Sequence, residues 1–177
     1  MMNYILPLAL GMSVSMAVLT RNLQGRESRS SFQTEDTEFV KNAMEGGMAE
    51  VMFGNLALEQ STAEPVRKFA EMLVSEHQKA NNELEKMVKK KNYANLPSGP
   101  SASAKEEHKR IGNLSGAEFD KAFAKYMVEE HEKTISVFLR QIESGKDKQL
   151  KTWAGKTLPT LQKHLEQAKN LVEILNA

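Results

Sequence analysis

Apolar residues recur at intervals of three and four along four long stretches of the chain. This spacing places them on one face of an α-helix. The four stretches are residues 36–60, 64–91, 115–143 and 146–175. Each would form a helix about 38–45 Å long. Since no segment shows the alternation typical of a strand, the pattern predicts an all-α protein.

Residues at the predicted helix ends agree with this division. Asp36 lies in the first turn of the first helix, where the helix dipole favours an acidic side chain. Pro65 lies near the start of the second helix, and residues 115–118 match a capping box. Pro159 lies inside the fourth helix, where its missing N–H should kink the helix or interrupt its hydrogen bonds.

The connections between these helices predict the fold. The first and third connections are short, so the helices they join should form antiparallel hairpins. The middle connection, residues 92–114, contains Pro97, Gly99 and Pro100, and a short helix over residues 105–111 fits within it. It is long enough to cross the bundle, as in ferritin-like folds, or it lies at one end. We therefore expect residues 35–177 to form a four-helix bundle, with both topologies open.

The N-terminal segment differs from the rest. Residues 4–19 are uncharged and apolar, which predicts a signal peptide or membrane anchor with a boundary after Ala17. Against this, Arg21, Arg26 and Arg29 follow the apolar stretch, whereas an export signal usually has its basic residues before it. A buried helix of a soluble protein is the alternative. The polar residues 18–34 are expected to form a linker.

Composition narrows the possible functions. The 177 residues include 24 basic and 23 acidic side chains, so a nucleic-acid partner bound through bulk charge is not expected. The chain has no cysteine, which excludes disulfides, thiolate zinc sites and iron–sulfur clusters. It has four histidines. No nucleophile triad, phosphate-binding glycine loop or pair of catalytic carboxylates stands out.

Each predicted helix has one metal-capable residue in the middle of its apolar face. These residues are Glu50, His77, His131 and His164. They lie 12 to 19 residues from the nearest hairpin turn, which places them in one layer about 10 Å thick. Gly47 and Gly54, on either side of Glu50, would let a neighbouring helix approach closely.

Three imidazoles and one carboxylate suit zinc, iron, copper or manganese. The first alternative is a metal-free polar core whose groups hydrogen-bond to one another. Further alternatives are an oxidoreductase with an open metal position and a b-type haem held by two histidines. A ferritin-type di-iron centre is not expected, because its Glu-x-x-His pairs are absent. The residues three positions before the histidines are Val74, Val128 and Leu161.

Other polar residues near this layer have more modest expected roles. Asp120 shares the face of His131 but lies about 16 Å along the axis, so it should interact with the helix dipole or a loop donor. Met127 is expected to fill the core. Glu76 and Glu130 directly precede two of the histidines and should contact ligand side chains at most. His108 is expected to be exposed.

Several segments carry a resemblance to a known family: residues 39–50 and 56–58, 66–70 leading to Glu76 and His77, 119–123 followed by His131, and 158–165. Over residues 39–171 the chain resembles a family of bacterial envelope proteins of unknown function, often labelled "predicted outer membrane protein". Glu76 departs from that family's pattern, which usually has aspartate there. The resemblance implies a ferritin-like bundle, export to the periplasm or cell envelope, and no established activity.

Together these features predict an exported bundle protein that binds one transition-metal ion for storage, sensing or stress protection. A structural or interaction module of the envelope is the alternative. Residues 4–19 would account for any membrane association.

Overall fold

The computed structural model describes residues 15–91, 93 and 96–177, with side chains from residue 35 onward. Its helices are α1 (Ser15–Gln60), α2 (Glu64–Lys89), α3 (Ala102–Gly112), α4 (Gly116–Ser144) and α5 (Lys148–Asn176). No strand occurs in these described residues. The prediction of an all-α protein with four long helices is therefore confirmed, and α3 confirms the short helix in the middle connection.

Helix α1 is longer than the sequence pattern indicated. It begins at Ser15, so the backbone of residues 18–34, the expected linker, is helical. Most of the expected signal or anchor lies outside the described residues, and the domain boundaries remain predictions. Within the described part of the chain, no helix combines the length and apolar character needed to span a membrane.

Two helical hairpins pack side by side. Helices α1 and α2 form one and α4 and α5 the other, while α1 also packs on α4, and α2 on α5. At one end of the bundle, the side-chain amide of Gln60 donates a 2.9 Å hydrogen bond to the carbonyl of Gly112. At the other end, Lys91 forms an ion pair with Asp147. Because α2 finishes opposite the end where α4 begins, the middle connection crosses the bundle, and α3 packs on α1 and α4 along the way.

Two apolar clusters fill the interior. One includes Phe53, Leu73, Phe119, Phe123 and Leu171, near the turn between α1 and α2. The other includes Phe39, Leu84, Phe138, Leu150 and Trp153, near the turn between α4 and α5. Buried polar residues from four helices lie between them along the chain.

The helix ends differ in part from expectation. Asp147 caps α5 by accepting hydrogen bonds from the backbone N–H groups of Gln149 and Leu150. The capping box predicted for α4 is not formed, because the side chain of Ser115 makes no capping hydrogen bond. Gly116 has φ of +55°, a left-handed conformation that glycine adopts at little cost. Helix α5 continues through Pro159, and the expected kink there remains a prediction.

Candidate metal centre

The bundle brings the four predicted residues together. Glu50 comes from α1, His77 from α2, His131 from α4 and His164 from α5. Their exposed fractions are 3%, 5%, 0% and 1%. The 3.6-residue period of each helix places each one among buried apolar neighbours.

The three histidines converge. One candidate ligand atom from each of His77, His131 and His164 lies within 4.8 Å of the other two. The closest approach is 3.2 Å, between Nε2 of His77 and Nδ1 of His164. Two nitrogens bound to one ion at about 2.0–2.1 Å in a tetrahedral site would be about 3.3 Å apart. The observed separation therefore matches two ligands of one metal ion, and this group of histidines could hold one.

Two of the histidines have their outward ring nitrogens held by fixed acceptors. Nδ1 of His131 lies 2.7 Å from the carbonyl oxygen of Met127, one turn earlier in α4. Because a carbonyl only accepts, Nδ1 carries the hydrogen and Nε2 keeps a lone pair in the neutral ring. Nε2 of His164 lies 2.8 Å from a carboxylate oxygen of Glu76, which leaves Nδ1 to face the cluster. Metal-bound histidines are usually held in this way.

His77 is held by Glu50. Its Nδ1 lies 2.7 Å from Oε2 of Glu50, so Nε2 is the nitrogen that faces His164. If both hydrogen-bonded histidines are neutral, two lone pairs face each other across 3.2 Å. Such a pair needs either a proton or a cation between the two nitrogens.

Within the described part of the chain, two buried atoms in the cluster have no hydrogen-bond partner. They are Oε1 of Glu50 and Nε2 of His131. They lie 3.5 Å apart and make no hydrogen bond with each other. An unsatisfied buried polar group costs about 1–3 kcal/mol. The histidine cluster therefore has unused electron pairs that the protein itself does not satisfy.

The ionisation of the cluster also suits a cation. Burial opposes ionisation of Glu50, but attraction to His77 and His131 and the hydrogen bond from His77 lower its pKa to about 2. Burial and the nearby His77 lower the pKa of His164 to about 4, against the opposing effect of Glu76. At neutral pH the cluster thus contains a carboxylate and an uncharged His164 imidazole.

Two glycines let α2 approach α1 beside Glu50, as the sequence indicated. A Cβ atom on Gly54 would lie 2.7 Å from Cγ2 of Val74 and 3.2 Å from the carbonyl oxygen of Ala70. A Cβ atom on Gly47 would overlap the side-chain amide of Asn81. Close contact between the two helices brings Glu50 within hydrogen-bond distance of His77.

Glu50 lies beside the convergent histidines but outside the group whose candidate ligand atoms all lie within 4.8 Å of one another. Its Oε2 positions His77, while Oε1 remains free of hydrogen bonds. Direct ligation by Glu50 therefore remains a prediction.

The remaining candidates lie elsewhere. Asp120 is 7% exposed and its Oδ1 has no hydrogen-bond partner among the described residues, so its expected interaction with the helix dipole or a loop donor remains a prediction. The Met127 side chain belongs to an apolar cluster, as expected. Glu130 pairs with Lys133. The expectation that His108 is exposed is wrong, because it is partly buried with its ring 5.3 Å from that of Phe53.

Glu76 makes the expected contact with a candidate ligand, but its partner is His164 on α5 rather than the adjacent His77. Asp36 was assigned to a helix start, but it is a buried residue inside α1 that contacts the turn between α4 and α5. The only sequence signal for either role was an acidic residue close to a predicted buried face.

The chain belongs to the family described as Domain of unknown function (DUF4142), whose pattern matches residues 22–171. This confirms membership of a family of unknown function and leaves the envelope assignment untested. No curated protein and no solved structure shows significant similarity to the chain.

Proposed function

We propose that this member of the DUF4142 family binds one transition-metal ion through His77, His131 and His164 at the centre of a ferritin-like bundle. Oε1 of Glu50 is the candidate for a fourth ligand, while Oε2 positions His77. The nitrogen and oxygen donors suit zinc, iron, copper or manganese. Storage, sensing or stress protection are the roles that such a buried site would serve.

One observation carries this proposal: two buried atoms of the cluster lack a hydrogen-bond partner among the described residues, and two ring nitrogens face each other across 3.2 Å. A proton between His77 and His164 would satisfy the 3.2 Å contact. It would leave Nε2 of His131 and Oε1 of Glu50 without partners. A cation in the cluster would interact favourably with all of these atoms, which accounts for the arrangement more fully.

A metal-free polar core is the second candidate. It is supported by the same 3.2 Å contact, since a doubly protonated His77 could donate to both Glu50 and His164. In that case the cluster would be a buried ion pair with a structural role. An oxidoreductase activity would additionally require a substrate position on the bound ion.

Elemental analysis of untagged protein distinguishes these candidates. We expect close to one metal ion per chain in the wild type and a large loss in His77→Ala and in His131→Ala. His108→Ala is the matched control, because His108 lies outside the cluster and should leave the metal content unchanged. Substoichiometric metal that is the same in all four proteins would contradict the proposal.

We further propose export to the periplasm or cell envelope. The support is the uncharged apolar stretch of residues 4–19. Fractionation of bacteria expressing the full chain, with N-terminal sequencing of the product, would test both export and cleavage after Ala17. Recovery of the intact chain in the cytoplasmic fraction would contradict this proposal.

A further inference from the structure

A small cavity lies directly beside the histidine cluster. Its volume is about 30 Å³, and its lining includes Glu50, His77 and His164. A water molecule needs about 10–15 Å³ when volume is measured in this way. The cavity can therefore hold about two waters, or an ion that has shed part of its hydration shell.

The lining of this cavity extends from the buried cluster to the surface. His164 is 1% exposed, whereas the side chain of Glu76 is 38% exposed. Asn81 and Thr160, also in the lining, are partly exposed. Partly exposed residues of α2 and α5 thus share one cavity lining with the buried His77 and His164.

Apart from its two histidines, the ionisable side chains in this lining are carboxylates. Two carboxylates, Glu50 and Glu76, contribute to the lining, and no lysine or arginine occurs among the described residues that form it. Amides and hydroxyls provide further oxygen atoms. A path lined by charge of one sign raises the local concentration of ions of the opposite sign and speeds their association.

Resting on the proposed metal function, the geometry points to this cavity as the route by which a divalent cation enters the site, with Glu76 steering it. The side chain of Glu76 is partly exposed to solvent and also hydrogen-bonds to the buried His164. A cation attracted to Glu76 would then be close to the imidazole that Glu76 orients. Glu50 provides the second negative charge, at the buried end.

Trp153 makes this route measurable. It lines the cavity and is the only tryptophan in the chain. Its fluorescence should be quenched when Co²⁺ occupies the site. Stopped-flow mixing of metal-free protein with Co²⁺ gives the association rate constant, and displacement by a chelator gives the dissociation rate constant.

Thr160→Leu tests the route itself. Thr160 lies one turn before His164 and lines the cavity, so a larger apolar side chain there should narrow the path. A narrower route slows entry and exit by the same factor, so we expect both rate constants to fall while their ratio, Kd, stays unchanged. Thr152→Leu is the matched control, since Thr152 is exposed on the same helix outside the cavity.

Glu76→Gln tests the steering and keeps the experiment decisive if Thr160→Leu does not fold. Glutamine retains an oxygen that can accept from His164 but has no charge. We expect the association rate constant to fall about three- to tenfold and to depend less on ionic strength. Glu83→Gln, two turns along α2 and exposed outside the cavity, should have a smaller effect.

The outcomes separate this inference from the proposed function. If wild-type protein does not bind Co²⁺, or if His131→Ala binds it equally well, the proposed metal function fails. If binding depends on His131 but folded Thr160→Leu retains wild-type rate constants, the entry route is wrong. Unchanged association kinetics in Glu76→Gln would overturn the steering role.

Discussion

Helix α1 contributes two buried carboxylates to very different surroundings. Asp36 is 6% exposed and Glu50 is 3% exposed. Asp36 accepts hydrogen bonds from the side chain of Gln141 at 2.8 Å and from the backbone N–H groups of Lys146 and Asp147 at 3.1 and 2.9 Å. Both of its oxygens are thereby occupied, and α1 is fastened to the turn between α4 and α5.

Glu50, by contrast, uses only one oxygen. Oε2 bonds to His77, while Oε1 faces the unpartnered Nε2 of His131. Burial alone therefore does not distinguish a carboxylate held by protein donors from one with an unsatisfied oxygen. The difference lies in whether fixed donors from the protein satisfy the lone pairs, because a group left unsatisfied costs free energy until something binds to it.

The largest expected effect is stabilisation by metal. A ligand that binds only the folded state at a thousand times its Kd raises the unfolding free energy by about 4 kcal/mol. We expect this increment in the wild type and its loss in His131→Ala, as measured by chemical denaturation with and without metal. Asp36→Ala should keep the metal-dependent gain in unfolding free energy. An equal gain in His131→Ala would contradict the idea that metal binds at the histidine cluster and not at Asp36.

Removal of Asp36 is expected to have the next largest effect. Asp36→Ala leaves the amide of Gln141 and two backbone N–H groups without their acceptor. We expect the unfolding free energy to fall by about 3 kcal/mol, with or without metal. Glu38→Ala is the control, because Glu38 is exposed on the same helix and should change stability by less than about 0.5 kcal/mol. Equal losses of unfolding free energy in both variants would show that the hydrogen bonds accepted by Asp36 contribute little to stability.

The glycines beside Glu50 provide a smaller and more local test. Gly54→Ala forces a methyl group against Val74, whose β-branched side chain has little rotamer freedom in a helix. We expect a loss of about 1–2 kcal/mol in unfolding free energy, after a gain in helix propensity offsets part of the overpacking. It should also weaken metal binding, because α1 and α2 separate where Glu50 meets His77.

Gly47→Ala is the matched comparison for this prediction. There the new methyl group meets only the far end of the Asn81 side chain, which can rotate away. Stability should therefore stay near that of the wild type. If Gly47→Ala lowers the unfolding free energy more than Gly54→Ala does, then close approach of the α1 and α2 backbones at Gly54 is not what positions Glu50.

The central layer could be predicted from the sequence because helical periodicity fixes which residues share a face. Glu50 and the three histidines each have at least one buried residue three or four positions away, so their burial follows from local spacing. Because each of these residues lies near the middle of its helix, they share one layer whichever way the helices run. For the same reason, their spacing left open whether the middle connection crosses the bundle.

Contacts between helices could not be predicted in the same way. Glu76 directly precedes His77, but its carboxylate bonds to His164 because of how α2 and α5 are rotated against each other. On α4, Gln141 is buried and its amide donates to Asp36, whereas the apolar Ile142 next to it is only partly buried. Asp36 itself was misplaced because α1 begins earlier than its amphipathic pattern does.

The smallest expected effect concerns Asp147, whose backbone N–H donates to Asp36 in the turn between α4 and α5. Despite the opposing effect of burial, the hydrogen bond from Lys91 and those from the N–H groups of Leu150 and Gln149 lower the Asp147 pKa below its ordinary value of 3.8. The ionised carboxylate therefore stabilises the fold above pH 3.8, and this contribution is lost as the pH falls through the folded-state pKa.

Asp147→Asn isolates that charge, because asparagine caps a helix about as well as aspartate. At neutral pH we expect the variant to be less stable by about 1 kcal/mol or less. The difference from the wild type should shrink as the pH falls below 3.8, and metal should not change it. This can be followed by denaturant unfolding of both proteins across the acid range. A stability difference that grows on acidification would contradict a lowered pKa for the Asp147 carboxylate. A stability difference that depends on metal would show that the turn around Asp36 and the histidine cluster are energetically coupled.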